Sequence, residues 1–348
     1  MPFKVRKNTA HASDASGVVS KLSDTTRAAA QRHAWRDPKI RSFVYCHDDV
    51  QLPAGLFRKG DAVFFSGEPK PAEGSAATDL LVKDFFVTGY SVVNRPGTLS
   101  DLACYQLSDG TPLFDFAIIS AARFKGSVNA PDIYVSDDVA AVLSSGGISA
   151  LQDLGVIVLL SVAGASEPAG WSTCPNDTVA RSVAQQLMDV VTQYNLDGID
   201  IDDEYSSGDT NNTSMIMVVD AFRQMNPYYW VTKALFEDST YFTASWNGIT
   251  LAQLLSYGWE MYYGDSDCTS LLSPYVANGM SAWQLAGGAD AGETGSPSAL
   301  ANCIVNNNYG GMMVWKVGDA TTSYLSDISN ALFNSATTTP DGCLSTST

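Results

Sequence analysis

The chain has 348 residues, of which 45% are hydrophobic, and its formal net charge is −17 at pH 7. This length permits one large core plus an extension, and no apolar run approaches the about 18 residues that a membrane span needs. The negative charge disfavours nucleic acid and anionic membrane surfaces as partners. The charge is uneven, because residues 1–40 carry eight Lys or Arg and three Asp, which leaves −22 on the remainder.

Residues 1–80 differ from the rest of the chain in composition. Their start is basic and lacks the apolar segment of a secretory signal, so no signal peptide is visible in the sequence. Residues 18–34 suit a helix, residues 40–45 and 62–65 suit short strands, and the Pro- and Gly-containing stretch 69–77 is typical of a linker. We therefore expect an N-terminal extension, first polar and basic and then β-rich, to which the sequence assigns no function.

From residue 84 onward, strand and helix patterns alternate. The second and third strands are continuous apolar runs, which is typical of parallel strands buried on both faces. Repeats of this size predict a (β/α)8 TIM barrel over residues 81–335, followed by a flexible Ser/Thr-rich tail over 336–348. The predicted strands are 85–93, 114–120, 156–162, 196–205, 229–235, 259–263, 281–285 and 311–317. The predicted helices are 139–154, 178–194, 213–225, 251–255, 298–305 and 324–333, the second of them capped by Asn176 or Asp177.

The six cysteines contain no CxxC pair, so the sequence predicts no zinc site, and nothing else in it calls for a cofactor or metal. An even number permits disulfides, but the spacing assigns none. We expect scattered cysteines in a domain of this size to be small buried hydrophobes.

One strand carries a row of acids. In residues 196–205, alternation places Asp200, Asp202 and Glu204 on one face, and Ile199 and Ile201 on the other. Carboxyl groups a few Å apart cannot all ionise, and this keeps one of them protonated near neutral pH, as general acid catalysis requires. The alternatives are a solvated charge cluster, which the alternation with Ile disfavours, and a cation site, which fits a strand face poorly.

The stretch DGIDIDDE, residues 197–204, resembles the DGxDxDxE signature of glycoside hydrolase family 18, which contains chitinases and endo-β-N-acetylglucosaminidases. The D-D-E-Y variant, with Asp203 and Tyr205, resembles the endoglycosidase H branch more than typical chitinases. The similarity covers about residues 84–335. It implies a secreted enzyme, and we expect a monomer.

The resemblance also implies roles for the acids. Barrel enzymes work at the carboxyl ends of their strands, which puts Glu204 at the mouth. Acids that all lie on one strand are poorly placed to attack both faces of a sugar, and the family is an exception that uses the substrate's own 2-acetamido group as nucleophile. Glu204 is then the acid and base, Asp202 orients the acetamido group, and Asp200 tunes Asp202 through a shared proton.

Aromatic residues complete the predicted site. In the family, the sixth strand ends M-x-Y-D or Q-x-Y-N, and its Tyr donates to the acetamido carbonyl. We expect Tyr262 in this role, with Tyr263 as the alternative and as a substrate contact. Trp315 on the last strand is predicted to stack under the cleaved sugar. Phe116 and Trp283 are weaker candidates for the site lining.

The predicted function is hydrolysis of the GlcNAc-β-1,4-GlcNAc core bond of N-linked glycans with retention of configuration. The partners would be N-glycans on glycoproteins or free GlcNAc-containing oligosaccharides. Two alternatives stay open: a family 18 chitinase that acts on chitin oligosaccharides, and a non-catalytic glycan-binding protein of the same family.

Overall fold

A three-stranded antiparallel sheet and a closed parallel barrel occupy different units of the chain, Met1–Asp84 and Phe85–Thr348. The computed structural model describes residues 85–93, 97–263, 267–291 and 294–344, and the backbone of three strands upstream. These strands are β1 (Phe43–Tyr45), β2 (Leu56–Lys59) and β3 (Ala62–Phe65), in the order β1-β3-β2. The predicted helix 18–34 and linker 69–77 lie outside the described residues, and the boundary at residue 80 stays a prediction.

Eight parallel strands close into a barrel, because β4 pairs with β15 on one side and with β6 on the other. This confirms the predicted (β/α)8 fold. The barrel strands are β4 (Phe86–Val92), β6 (Phe116–Ser127), β8 (Ile157–Ala163), β9 (Gly198–Asp202), β10 (Trp230–Leu235), β13 (Tyr257–Glu260), β14 (Leu285–Asp290) and β15 (Gly311–Trp315). Shorter strands outside it are β5 (Gln106–Leu107), β7 (Ala130–Tyr134), β11 (Ser245–Trp246), β12 (Ile249–Thr250) and β16 (Thr337–Thr338).

Helices surround the barrel, and an apolar core fills the layer between them and the strands. They are α1 (Gly97–Asp101), α2 (Asp137–Leu143), α3 (Gly147–Asp153), α4 (Asp177–Gln193), α5 (Ser214–Met225), α6 (Leu251–Leu254), α7 (Cys268–Ala277), α8 (Pro297–Asn306) and α9 (Thr322–Phe333). Short 3-10 helices cover Leu102–Cys104, Ser239–Thr243, Ala282–Gln284 and Val317–Asp319. Of the described helices, none has the length and apolar character that crossing a bilayer requires.

Helix α4 precedes the acid strand and packs against the barrel. The Asn176 side chain accepts a hydrogen bond from the Val179 backbone N–H at 3.1 Å, so Asn176 is the cap. Val183, Leu187 and Val191 lie on its buried face. The helix ends shortly before β9, which is buried along its whole length.

The strand bounds differ from the prediction, and β9 covers Gly198–Asp202 rather than 196–205, so Glu204 follows the strand instead of ending it. Strand β6 continues to Ser127 and forms a hairpin with β7, which the sequence did not predict. Strand β14 covers Leu285–Asp290 rather than 281–285, because its central glycines, where Gly287 lies close to Leu300 on α8, weaken the apolar pattern. Strand β13 begins and ends earlier than predicted, at Tyr257–Glu260.

Two disulfides correct the expectation of buried, unpaired cysteines. Cys104 bonds Cys343, and Cys268 bonds Cys303. Cys174 alone among the described cysteines is free, and it is buried as expected. The tail is also less loose than predicted, because β16 pairs with β5 and the first disulfide holds the chain near its end.

Candidate active site

A layer of aromatic rings closes the amino end of the barrel. Phe86, Phe116, Trp230 and Tyr257 each stand at the start of a strand, and Phe116 lies 5.6 Å from Trp230 and 5.2 Å from Tyr257 between ring centroids. Trp283 precedes β14 and packs edge-on against Tyr257. Phe116 and Trp283 therefore lie at the end opposite to the acids, which corrects their assignment as substrate contacts.

Asp200 occupies the centre of the barrel and is completely buried. Its carboxylate accepts hydrogen bonds from the Tyr90 hydroxyl at 2.6 Å and the Thr232 hydroxyl at 2.7 Å. The Trp259 indole N–H donates to Tyr90 in turn, at 2.7 Å. Burial raises the pKa of Asp200 to about 6, although these hydrogen bonds oppose the shift.

Asp202 and Glu204 form a coupled pair nearer the mouth. Asp202 ends β9 and is buried, whereas Glu204 is half-buried in the segment that follows. Burial, the adjacent Glu204 carboxylate with which it shares a hydrogen bond, and the Asp200 charge all raise the pKa of Asp202. The pair therefore retains a proton at a pH where an isolated carboxyl would have lost it.

The backbone at Glu204 is held by close contacts with the segment after β8. A Cβ added to Gly164 would collide with the Glu204 carbonyl oxygen, so only glycine permits this approach. Tyr205 then adopts a left-handed φ of 58°, and the chain turns away from the strand. The Tyr205 side chain is 68% exposed, and its hydrogen bond to Glu204 raises the pKa of its own hydroxyl.

The two tyrosines after β13 lie in different places. Tyr262 is 48% exposed and stacks on Phe236. Tyr263 stacks on Trp315, with ring planes 19° apart. Burial raises the pKa of Tyr263, and the charges of Asp202 and Glu204 raise it further, so its hydroxyl stays protonated beside the acids.

This geometry revises the tyrosine assignment, because Tyr263 and not Tyr262 has its ring beside the acids. Trp259 on β13 points into the barrel, and Met261 and Tyr263 lie just beyond the end of the strand. With Met261 as the Met of the M-x-Y pattern, the third position is Tyr263. The signal was therefore in the sequence, and starting the pattern one residue early, at Glu260, selected Tyr262.

Trp315 lies at the carboxyl end of β15, where its ring contacts those of Tyr263 and, at 5.3 Å, Tyr90. Its predicted position at the barrel mouth agrees with this arrangement, and its contact with a sugar stays a prediction. Asp290, at the end of the neighbouring β14, is buried near Tyr263 and was missed. Glu260 accepts hydrogen bonds from the backbone N–H groups of Tyr262 at 2.6 Å and Gly288 at 2.7 Å.

Tyr90 and Thr232 are the other site residues that the sequence analysis missed. Both lie in correctly predicted strands, on the face that alternation turns into the barrel. Strand pairing places Thr232 beside Asp200. A sequence signal existed, since a polar side chain on the inner face of an apolar strand needs a buried partner.

Known proteins resemble this chain over much of its length. The profile of glycosyl hydrolases family 18 matches residues 103–265. An endo-β-N-acetylglucosaminidase from Flavobacterium sp. (strain SK1022) is 30% identical over 334 residues, covering 92% of this chain and 98% of the relative. Endo-β-N-acetylglucosaminidase F1 from Elizabethkingia meningoseptica is 24% identical, covering 74% of this chain and 79% of the relative.

Solved structures show the same fold. EndoBT-3987 from Bacteroides thetaiotamicron, in complex with a Man9GlcNAc2Asn substrate, matches with a TM-score of 0.62 at 20% identity, covering 74% of this chain and 67% of that one. A family 18 chitinase from Chromobacterium violaceum matches with a TM-score of 0.52 at 16% identity, covering 82% of this chain and 98% of that one. From the acid strand, the barrel and the near full-length similarity to the Flavobacterium enzyme, this chain belongs to glycoside hydrolase family 18.

Proposed function

We propose that the protein is an endo-β-N-acetylglucosaminidase that hydrolyses the GlcNAc-β-1,4-GlcNAc core bond of N-linked glycans and leaves one GlcNAc on Asn. The observation that carries this proposal is the hydrogen-bonded Asp202–Glu204 pair at the barrel mouth, with Asp202 at the end of the strand that also carries Asp200 and Glu204 just beyond it. The two bacterial relatives named as endo-β-N-acetylglucosaminidases support this substrate over chitin.

Glu204 is the general acid in this mechanism. Its proton passes to the glycosidic oxygen as the bond from that oxygen to C1 breaks. The acetamido oxygen of the same sugar attacks C1 from the opposite face, and an oxazolinium-type intermediate forms. Burial and the adjacent Glu204 carboxylate raise the pKa of Asp202, so the pair holds a proton near neutral pH for this transfer.

Asp202 and Asp200 act on the positive charge that then develops. Once Glu204 has given up its proton, Asp202 is free to turn toward the acetamido N–H and accept its hydrogen bond. Asp200 lies directly below and can take up a proton that Asp202 releases, because its own pKa is raised to about 6. Tyr90 and Thr232 fix Asp200 in this position.

Tyr263 is the proposed donor to the acetamido carbonyl, and Trp315 is the proposed floor for the sugar ring. A hydroxyl that stays protonated beside two acids can orient the acetamido oxygen toward C1. In the second step Glu204 removes a proton from water, and the oxygen of that water bonds to C1. The acetamido group is thereby regenerated, and the configuration at C1 is retained.

The test is incubation of a high-mannose glycoprotein with wild type and with Glu204→Gln, read by intact mass. Wild type should remove each glycan and leave one N-acetylhexosamine, whereas Glu204→Gln should lose nearly all activity. Glu237→Gln is the matched control, since Glu237 is exposed on the adjacent segment and has no part in the mechanism. A wild type that leaves the glycoprotein intact but cuts chito-oligosaccharides would establish the chitinase alternative.

A second substrate tests the acetamido step. An otherwise identical glycan with glucosamine in place of GlcNAc at the cleaved position lacks the nucleophile, so it should not be hydrolysed. Its hydrolysis would instead indicate a protein nucleophile, for which Asp290, buried near Tyr263, is one candidate. Binding of either glycan without cleavage would favour the non-catalytic alternative.

A further inference from the structure

The back of the acid strand carries a buried cation. Asp203 follows Asp202 just beyond the end of β9, and its carboxylate binds the Ser172 hydroxyl in the segment after β8. Lys233 on β10 points away from the barrel interior, because its neighbour Thr232 faces Asp200 inside the barrel. Lys233 is only 1% exposed, and its Nζ lies 2.5 Å from the Asp238 carboxylate. It also donates to the Ala234 carbonyl at 2.8 Å.

The partners of this cation are themselves anchored. Tyr275 on α7 donates its hydroxyl to Asp238 at 2.7 Å. Ser172, in the segment after β8, donates to the Asp203 carboxylate at 3.1 Å. Tyr241 shares a hydrogen bond with Ser172. The network therefore connects the segments that follow β8, β9 and β10 directly behind the Asp202–Glu204 pair.

We propose that Lys233 is a positioning residue for the reaction: its ammonium group, fixed by Asp238 and paired in register with Ile201 on β9, balances the charge of the acids from behind the strand. This inference rests on the proposed function, because the acids that it positions are those of the proposed mechanism.

The same charge acts on the acids through space. Burial alone would lower the pKa of Lys233, but Asp238, Asp203 and Asp202 together raise it, so the group stays cationic. In return, Lys233 lowers the pKa of Asp200, Asp202 and Asp203, against the larger effect of their burial. The titratable groups around it are Asp200, Asp202, Asp203, Asp238, Tyr241 and Tyr275.

A purely structural ion pair and a positioning cation predict different pH profiles. Loss of packing lowers kcat without moving the profile in a particular direction. Loss of a positive charge behind the acids raises the pH at which each of them titrates, whereas loss of a negative charge lowers it. The two pH shifts have opposite signs, so variants of Lys233 and of its partner Asp238 distinguish a positioning cation from a purely structural ion pair.

The experiment measures kcat and kcat/KM against pH for wild type, Lys233→Met, Lys233→Arg and Asp238→Asn on a high-mannose glycopeptide. For Lys233→Met we expect both limbs of the profile to move up by about one pH unit and kcat to fall by up to about 100-fold, with KM near that of wild type. Asp238→Asn should move the profile down. Lys233→Arg keeps the charge and should keep the profile.

Unchanged limbs in both Lys233→Met and Asp238→Asn would overturn the proposal, and so would shifts of the same sign. If Lys233→Met does not fold, the direction of the shift in Asp238→Asn decides alone. Titration of ¹³C-labelled Asp and Glu carboxyls, without substrate, gives the same comparison independently of activity. A wild type that cuts no N-glycan would therefore end the proposed function, while the titration would still decide the role of Lys233.

Discussion

The adjacent Tyr262 and Tyr263 provide a matched test of the donor assignment. Removing the Tyr263 hydroxyl by Tyr263→Phe leaves the ring on Trp315, so sugar binding should change little. The acetamido oxygen loses one oriented donor while charge develops on it. Loss of one such donor costs about 100- to 1000-fold in kcat, or about 2.7–4 kcal/mol. Tyr262→Phe removes the same atom from a ring that is 48% exposed, and it should leave kcat near that of wild type.

The assay is single-turnover cleavage of a high-mannose glycopeptide, with substrate affinity measured separately on the Glu204→Gln background. Tyr263→Phe should lower the rate of the chemical step with nearly unchanged affinity. The reverse result, a large loss in Tyr262→Phe and none in Tyr263→Phe, would refute the assignment. Equal losses in both variants would mean that the hydroxyls act through the fold of the segment and not through the substrate.

Two further predictions concern stability and backbone geometry. The pKa of Asp200 rises from 3.8 to about 6 on folding, so the folded protein binds more protons than the unfolded chain in this range, and stability falls as pH rises through it. In Asp200→Asn the decrease in the free energy of unfolding between pH 4 and 7, measured by urea unfolding, should be smaller by roughly 2 kcal/mol. Gly164→Ala should lower kcat by up to about 100-fold by displacing Glu204. Gly295→Ala, where an added Cβ meets open space, is its control, and equal activity of the two variants would contradict the prediction.

The barrel could be predicted from the sequence because parallel strands that are buried on both faces consist of continuous apolar runs. It failed where a strand carries little side-chain volume, as in β14, whose Gly287 lets α8 approach closely. It also failed where a barrel strand continues beyond the barrel, as β6 does into the hairpin with β7. The Cys104–Cys343 bond joins residues 239 apart in sequence, and spacing carries no information about such a pair.

The acids of the site could be predicted because Asp200 and Asp202 lie on one strand, where alternation fixes their common face, and Glu204 follows two residues later. Their partners lie on other strands, and sequence does not fix the pairing of one strand with another. Tyr90 and Thr232 are hydrogen-bonded to Asp200 because barrel closure and the β9–β10 alignment bring three strands together. Lys233 was missed for the same reason, since its proposed role depends on the charges of Asp238 and Asp203, which belong to other segments of the chain.

The position of the cation behind the strand has a chemical consequence. The proposed intermediate is positively charged at the acetamido group, and a cation beside C1 would oppose its formation. Three stacked carboxyls nevertheless need some compensating charge if more than one is to ionise during the cycle. Lys233 supplies that charge across the strand, shielded from the sugar by the β9 backbone and held by Asp238. One strand can then present acids to the substrate on one face, while the positive charge that balances them lies on the other.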